Sequence, residues 1–300
     1  MMKYQQWFVS YLFMQSNYCL MRSVLIFFSF IIVFTEQGYA QKDINPKLYT
    51  FKTIDTTQLN LQVYHPKKLK RKDRLPAVIF FFGGGWIQAA PNQFRSHCIY
   101  LANLGIIGIT ADYRVRNIHN TTPQAAISDA KSAMRWLKAN ADQLNIDQEK
   151  IIAAGGSAGG HLAACTATLE EFNDPNDDLS IDPAPSAMVL FNPVLEIPAS
   201  VTDRFGGVEE ARKASPVFFI SGKTPPTLIF HGTDDSLVPP SSILEFQKKM
   251  IGLGNTCEVI LFGNEKHAFF NVGRKGNRPY HQTIVLMKQF LVEEGFLTKK

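Results

Sequence analysis

The chain has 300 residues, 45% of them hydrophobic and 19% charged, with a formal net charge of +5. That balance excludes an intrinsically disordered chain, and the length suffices for one large α/β core without a second domain. The only dense basic run, Lys67 to Lys72, sits just before Pro76 where a solvated loop is expected, so nucleic acid is not an expected partner.

In chain order, the first segment with a clear character follows Met21. Arg22 precedes the apolar run 23–34, and a polar turn leads to Gly38-Tyr39-Ala40. One positive charge, a short apolar run and small residues at the −3 and −1 positions have the architecture of a secretory signal peptide, and the run is shorter than the ~20 residues of a spanning helix. The expectation is a leader over residues 1–40, cleaved after Ala40, with Met21 a candidate true start and residues 41–300 forming the mature domain. An exported protein, periplasmic or secreted, with no stable membrane span after cleavage follows; the alternative is that the run is retained as an anchor. Loss of Lys3, Arg22 and Glu36 with the leader takes the formal charge from +5 to +4.

Two alternating stretches, Tyr49 to Ile54 and Leu59 to Tyr64, predict an antiparallel pair at a sheet edge. Beyond them the pattern changes to short, nearly continuous apolar runs at 77–82, 106–110, 151–154, 187–191, 227–230 and 258–262, which predict strands buried on both faces. Helical periodicity over 124–140, 241–251 and 283–293 separates several of them. Alternating strands and helices imply a mostly parallel twisted sheet covered on both faces, in a single domain, with functional loops at the carboxyl ends of the strands.

The strand at 151–154 runs into Gly155-Gly156-Ser157-Ala158-Gly159, and a helix-like segment follows from His161. A serine on such a strand-to-helix turn has its hydroxyl lifted above the sheet, with helix N–H groups beside it. An unassisted serine is a poor nucleophile, so a histidine base and an orienting carboxylate are needed. The strand at 227–230 enters His231-Gly-Thr-Asp-Asp-Ser-Leu-Val-Pro239, and the strand at 258–262 enters Gly263-Asn-Glu-Lys-His-Ala-Phe-Phe270. Ser157 as nucleophile, Asp235 as acid in preference to Asp234, and His267 as base complete an acyl-transfer set in the order Ser, acid, His.

Phe82-Gly83-Gly84-Gly85-Trp86 follows the strand at 77–82. Together with Asp112-Tyr113-Arg114, the segment 129–137 and the G-G-S-A-G-G-H-L-A run from Gly155, it resembles the H-G-G-G branch of the α/β-hydrolases. That branch includes hormone-sensitive-lipase-like carboxylesterases and bacterial feruloyl- and acetyl-esterase domains, and the resemblance covers most of residues 48–297. It implies the α/β-hydrolase fold, a serine esterase, and an oxyanion site built from the backbone N–H groups of Gly84, Gly85 and Ala158. One position departs from the pattern: Phe82 stands where the family has a histidine that braces the glycine loop. His161 is expected to be a structural helix residue facing the strands, and Trp86 a packing residue of its loop.

An ester substrate is implied, with a small acyl group on an oligosaccharide or polysaccharide favoured by export and by the resemblance. Segment 196–222, which contains Arg204, is expected to form the substrate rim. A serine peptidase of the prolyl-oligopeptidase type and a non-catalytic binding protein on a hydrolase fold remain as alternatives. No cofactor or metal is expected: the histidines lack ligand spacing, and Asp174 to Asp178 opens like a calcium loop but has Leu179 and Pro185 where glycine and glutamate are required, so it reads as a surface loop. Cys98, Cys165 and Cys257 show no CxxC spacing and read as buried free thiols, with at most one disulfide among them.

Overall fold

A computed structural model describes residues 43–298 of the protein; the expected leader lies outside the described residues. Eight strands form one sheet: β1 (Lys47–Ile54), β2 (Thr57–Tyr64), β3 (Leu75–Phe81), β4 (Ile107–Ala111), β5 (Ile146–Gly156), β6 (Ala187–Phe191), β7 (Thr227–Gly232) and β8 (Cys257–Phe262). Their spatial order is β1-β2-β4-β3-β5-β6-β7-β8. β1 pairs antiparallel with β2 and β2 antiparallel with β4, while all remaining pairs are parallel.

The helices are α1 (Arg95–Leu104), α2 (Arg116–His119), α3 (Pro123–Ala139), α4 (Ala158–Thr168), α5 (Val208–Lys213), α6 (Pro240–Gly252) and α7 (Arg278–Glu293). Side-chain alternation along the strands divides the core in two. Ile79, Phe81, Ala153, Met188 and Leu190 pack with α3, α4 and α6 on one face. Val78, Phe80, Ala154, Val189 and Phe191 pack with α1 and α7 on the other. Every residue of β4 and β6 is buried, which is why these strands read as unbroken apolar runs.

The sequence reading assigned no helix to 95–104, where α1 lies. Its buried face is His97, Cys98, Ile99, Leu101 and Ala102, so a histidine and a thiol interrupt the apolar stripe. The stop signal was present: Gly105 takes a left-handed φ of 93°, its N–H reaching Ala102 O and Ile106 N–H reaching Leu101 O. The 174–178 segment is more than a surface loop. Asp174 accepts from Lys52 Nζ at 2.6 Å, and Asp177 accepts from Ser132 Oγ at 2.9 Å and Arg135 Nη1 at 3.1 Å, which ties the loop to α3. Cys98, Cys165 and Cys257 are buried free thiols, as read. No helix among the described residues is long and apolar enough to cross a membrane.

The register positions the site. Phe81 pairs with Gly155, Gly156 with Phe191, Phe191 with Phe230, and Gly232 with Phe262. The loops leaving β3, β5, β6, β7 and β8 therefore emerge side by side at the carboxyl edge of the sheet, where the direction of strand addition reverses.

Candidate active site

Ser157 links β5 to α4 with φ 53° and ψ −118°, a conformation that costs a non-glycine residue on the order of 1–3 kcal/mol and persists only when neighbours enforce it. The enforcement is visible. The Ser157 N–H donates to Phe191 O at 2.9 Å, and the helix pulls back through His161 N–H to Ser157 O at 3.0 Å. The elbow also needs close backbone approach: a Cβ at Gly159 would lie 2.0 Å from Phe81 O, and one at Gly155 2.4 Å from Gly159 C.

β8 lies three strands from β5, a distance of roughly 14 Å at ~4.8 Å per strand, so a base after β8 must reach back on a loop. The segment beyond Phe262 does so. The Ser157 hydroxyl donates to His267 Nε2 at 2.8 Å, and His267 Nδ1–H donates to Asp235 Oδ2 at 2.7 Å. Asp235 is 4% exposed, whereas Asp234 is exposed. The other oxygen, Asp235 Oδ1, accepts from Leu237 N–H and Val238 N–H, each at 3.0 Å. Burial pushes the Asp235 carboxyl up, but these amides and His267 outweigh it and hold it below its ordinary value. An ionised carboxylate only accepts, so Nδ1 carries the imidazole proton and Nε2 presents its lone pair to Ser157.

Two residues that sequence reasoning missed set this geometry. Asn192, fully buried at the end of β6, accepts from Ala268 N–H through Oδ1 at 2.9 Å, and its Nδ2 lies 3.4 Å from His267 Nε2. It thus anchors the loop one residue past the imidazole. Its position at a strand carboxyl end, in the row that holds Ser157 and Asp235, was the signal that could have found it. His231 is also fully buried, and its Nε2–H donates to Val238 O at 2.9 Å, bracing the turn that carries Asp235. Burial lowers its pKa, partly opposed by Val238 O and Asp235, so the ring stays neutral.

The glycine loop after β3 lies against the serine: a Cβ at Gly83 would be 3.4 Å from Ser157 Cβ. Gly83 N–H is already used, donating to Gln93 Oε1 at 2.6 Å. The N–H groups of Gly84 and Gly85 have no acceptor among the described residues. Ala158 N–H belongs to the first turn of α4, where the helix supplies no acceptor either. Gly84 has φ 149°, and a Cβ there would fall 2.1 Å from Gln88 O, so only glycine fits.

The loop is braced without the family histidine. Phe82 is buried and stacks on Tyr113 at a centroid distance of 4.1 Å, and Tyr113 Oη–H donates to Phe82 O at 2.7 Å. Burial pushes the Tyr113 phenol up, so it stays protonated and able to donate. Trp86 is buried with φ 60°, as a packing residue should be. Its Nε1–H donates to His161 Nδ1 at 3.2 Å, and His161 Nε2–H donates to Ala214 O at 2.7 Å. His161 therefore does not face the strands as expected. It lies between the glycine loop and the 196–222 segment, where the buried Trp86 N–H and Ala214 O both need a partner.

The structure thus brings together Ser157, His267 and Asp235, with Ala158 next in the chain and the glycine loop against the serine at Gly83. A nucleophile, a base bonded to it, an acid bonded to the base and free amides form the layout of a serine ester hydrolase of the α/β-hydrolase class. The BD-FAE family model matches residues 61–196 and 200–250, more than half of the chain, and the protein belongs to that family. LipM and the esterase LipC of Mycobacterium tuberculosis are 28% and 30% identical to it over 261 and 219 residues, covering 78% and 65% of this chain. The chain spans about half the length of these two relatives, 58% and 53%. The propionate-bound structure of Est2, a thermophilic esterase from the Planctomycetes species Thermogutta terrifontis, superposes with a TM-score of 0.82 at 41% identity, covering 85% of this chain and 97% of that one. A second structure of that esterase, phosphorylated by paraoxon, has the same TM-score at 42% identity, covering 85% and 96%.

Proposed function

We propose that the protein is an exported carboxylic ester hydrolase acting through a Ser157 acyl-enzyme, with small acyl groups on a glycan as its substrates. The observation that carries the reading is the continuous chain from Ser157 Oγ to His267 Nε2 at 2.8 Å and from His267 Nδ1 to Asp235 Oδ2 at 2.7 Å. As Oγ bonds to the ester carbonyl carbon, its proton passes to Nε2, and the carbonyl electrons move onto an oxyanion facing the Gly84, Gly85 and Ala158 amides. The proton then passes to the alcohol oxygen as the carbon–oxygen bond breaks. Water, deprotonated by the same nitrogen, releases the acid and restores Ser157.

Asp235 holds the imidazole in the tautomer this requires. A related esterase with propionate bound and another state of it phosphorylated by paraoxon support a short acyl pocket and a nucleophile open to organophosphates. The leader-like segment ending at Ala40 supports export.

Ser157→Ala is expected to lower kcat on 4-nitrophenyl acetate by about 10⁴-fold or more and to abolish labelling by a fluorophosphonate probe. Wild-type turnover in that variant would overturn the assignment. Aryl esters of graded chain length are expected to fall off beyond the shortest acyl groups, and acetate release from acetylated xylan or pectin tests the glycan.

A further inference from the structure

A cavity of about 230 Å³ opens beside the glycine loop; Gly85, Arg116, Thr121, Asp203 and Arg204 are among its lining residues. It is smaller than the ~300–1,000 Å³ of a whole small-molecule site, so it is a subsite rather than a complete pocket. It lies close to the chemistry. The Gly83 position touches Ser157, and Gly85 is two residues further, no more than about 7 Å of extended chain.

Its two cations, exposed Arg116 and half-buried Arg204, are solvated rather than paired. Neither Arg116 nor Arg204 has a carboxylate within ion-pair distance among the described residues, and the single bond from Arg204 is Nη1 to Gly85 O at 3.3 Å. Thr121 Oγ1 is buried without a hydrogen-bond partner among the described residues. Against these stands one carboxylate, Asp203, so the charged lining carries two positive groups and one negative. A net single positive charge matches a singly charged oxyanion, and a planar guanidinium matches a carboxylate in particular. Arg204 adds a link to the reaction, because its contact is with the carbonyl of Gly85, in the glycine loop to which the proposed function assigns the oxyanion donors.

We propose that this cavity binds a carboxylate carried by the substrate, the uronate carboxylate of an acylated acidic sugar. The proposal rests on ester hydrolysis at Ser157 and names the alcohol side of that reaction.

The test compares kcat/KM for O-acetylated galacturonic acid and its carboxyl methyl ester, and for an aryl hydrogen succinate and its methyl ester, with 4-nitrophenyl acetate as the uncharged reference. The expected result is a preference of about tenfold for the free acid in the sugar pair, weakening as NaCl rises from 0.05 to 0.5 M. That ratio is expected to fall toward one in Arg116→Gln and in Arg204→Gln. Because it is taken within each variant, any shared change in rate cancels. Equal rates within both pairs, or a preference that survives both substitutions, overturns the subsite while turnover of 4-nitrophenyl acetate leaves the Ser157 reading standing. A preference confined to the succinate pair places the carboxylate on the acyl side and overturns the uronate assignment. No turnover of any ester removes both readings.

Discussion

The two faces of the sheet are held by different physics, and each supports a different half of the site. On the α3/α4 face the polar groups are spent on directional bonds. Fully buried Asp129 accepts from Lys52 Nζ at 2.9 Å, from Arg114 Nε and Nη2 at 2.8 Å, and from Arg114 N–H at 3.0 Å. Lys131 Nζ donates to Leu169 O and Glu171 O at the end of α4, and His161 bridges Trp86 to Ala214. On the α1/α7 face His97 sits among Phe80, Phe94, Phe191, Phe270 and Tyr280 with both ring nitrogens buried and without a partner among the described residues. Phe270, three residues past His267, belongs to that cluster. The glycine loop is therefore bonded through Tyr113 and His161 on one face, while the base loop, besides its bonds to Asn192 and Asp235, rests on aromatic packing on the other. Bonds fix direction; packing fixes volume and tolerates more exchange.

Four substitutions would break or sharpen that contrast. The largest expected effect is from Asp129→Ala, which leaves half-buried Arg114 without its carboxylate and Lys52 with Asp174 alone, and should cost about 3–5 kcal/mol in urea unfolding. An effect below about 1 kcal/mol would mean the bonded face is no more demanding than the packed one. Next is His161→Leu, which leaves Trp86 N–H and Ala214 O unmet. It should cost about 1–3 kcal/mol and, through the glycine loop, lower kcat roughly tenfold. A stability loss with unchanged kcat would separate the bridge from the reaction.

His97→Leu is expected to act through pH. Burial drives His97 down to about 3, and drives His161 to about 4 against the opposing bond to Ala214 O. An unfolded histidine binds a proton near pH ~6.5 and these folded ones do not, so stability is full above that value and falls as pH drops toward the folded pKa values, by about 1.4 kcal/mol per unit for each histidine. Unfolding curves from pH 7.5 to 4.5 should show the variant losing one histidine's share of that slope, with kcat at neutral pH changed less than about twofold because no bond to the site is removed. An unchanged slope would show that His97 protonates in place. The smallest effect is expected for Phe82→His. The Tyr113 bond to Phe82 O already braces the loop, so ester turnover should stay within about fivefold, and a large gain would show that brace to be poor.

Most of the architecture was legible because each buried strand is a run of apolar residues bounded by turn formers, and the acyl-transfer set was legible because Ser157, Asp235 and His267 each follow such a run. What escaped is what depends on tertiary partners. Gln93 carries an ordinary side chain at a position with no local motif, and Asn192, though it follows β6 at the carboxyl edge of the sheet, gains its partner only when the base loop folds back to it. His161 was read correctly as structural but turned the wrong way, since helical spacing says which residues share a face and not which polar groups wait above it. The α1 helix was missed because His97 and Cys98 are buried where periodicity looks for leucine or valine.

The two ends of Gln93 are committed to opposite loops. Oε1 accepts from Gly83 N–H at 2.6 Å while Nε2 donates to Asn271 Oδ1 at 2.9 Å, so one amide, in one orientation, joins the strand-β3 loop to the segment just beyond the base. Glutamate would present two acceptors where one must donate, and leucine would present neither. The unit of inheritance at this site is then not a loop but a loop, a glutamine and a second loop 178 residues away along the chain from that glutamine. Libraries that randomise the two loops separately will contain mostly mismatched pairs; those that vary residues 83, 93 and 271 jointly retain the registration between the amides that would meet a substrate's oxygen and the nitrogen that would move its proton.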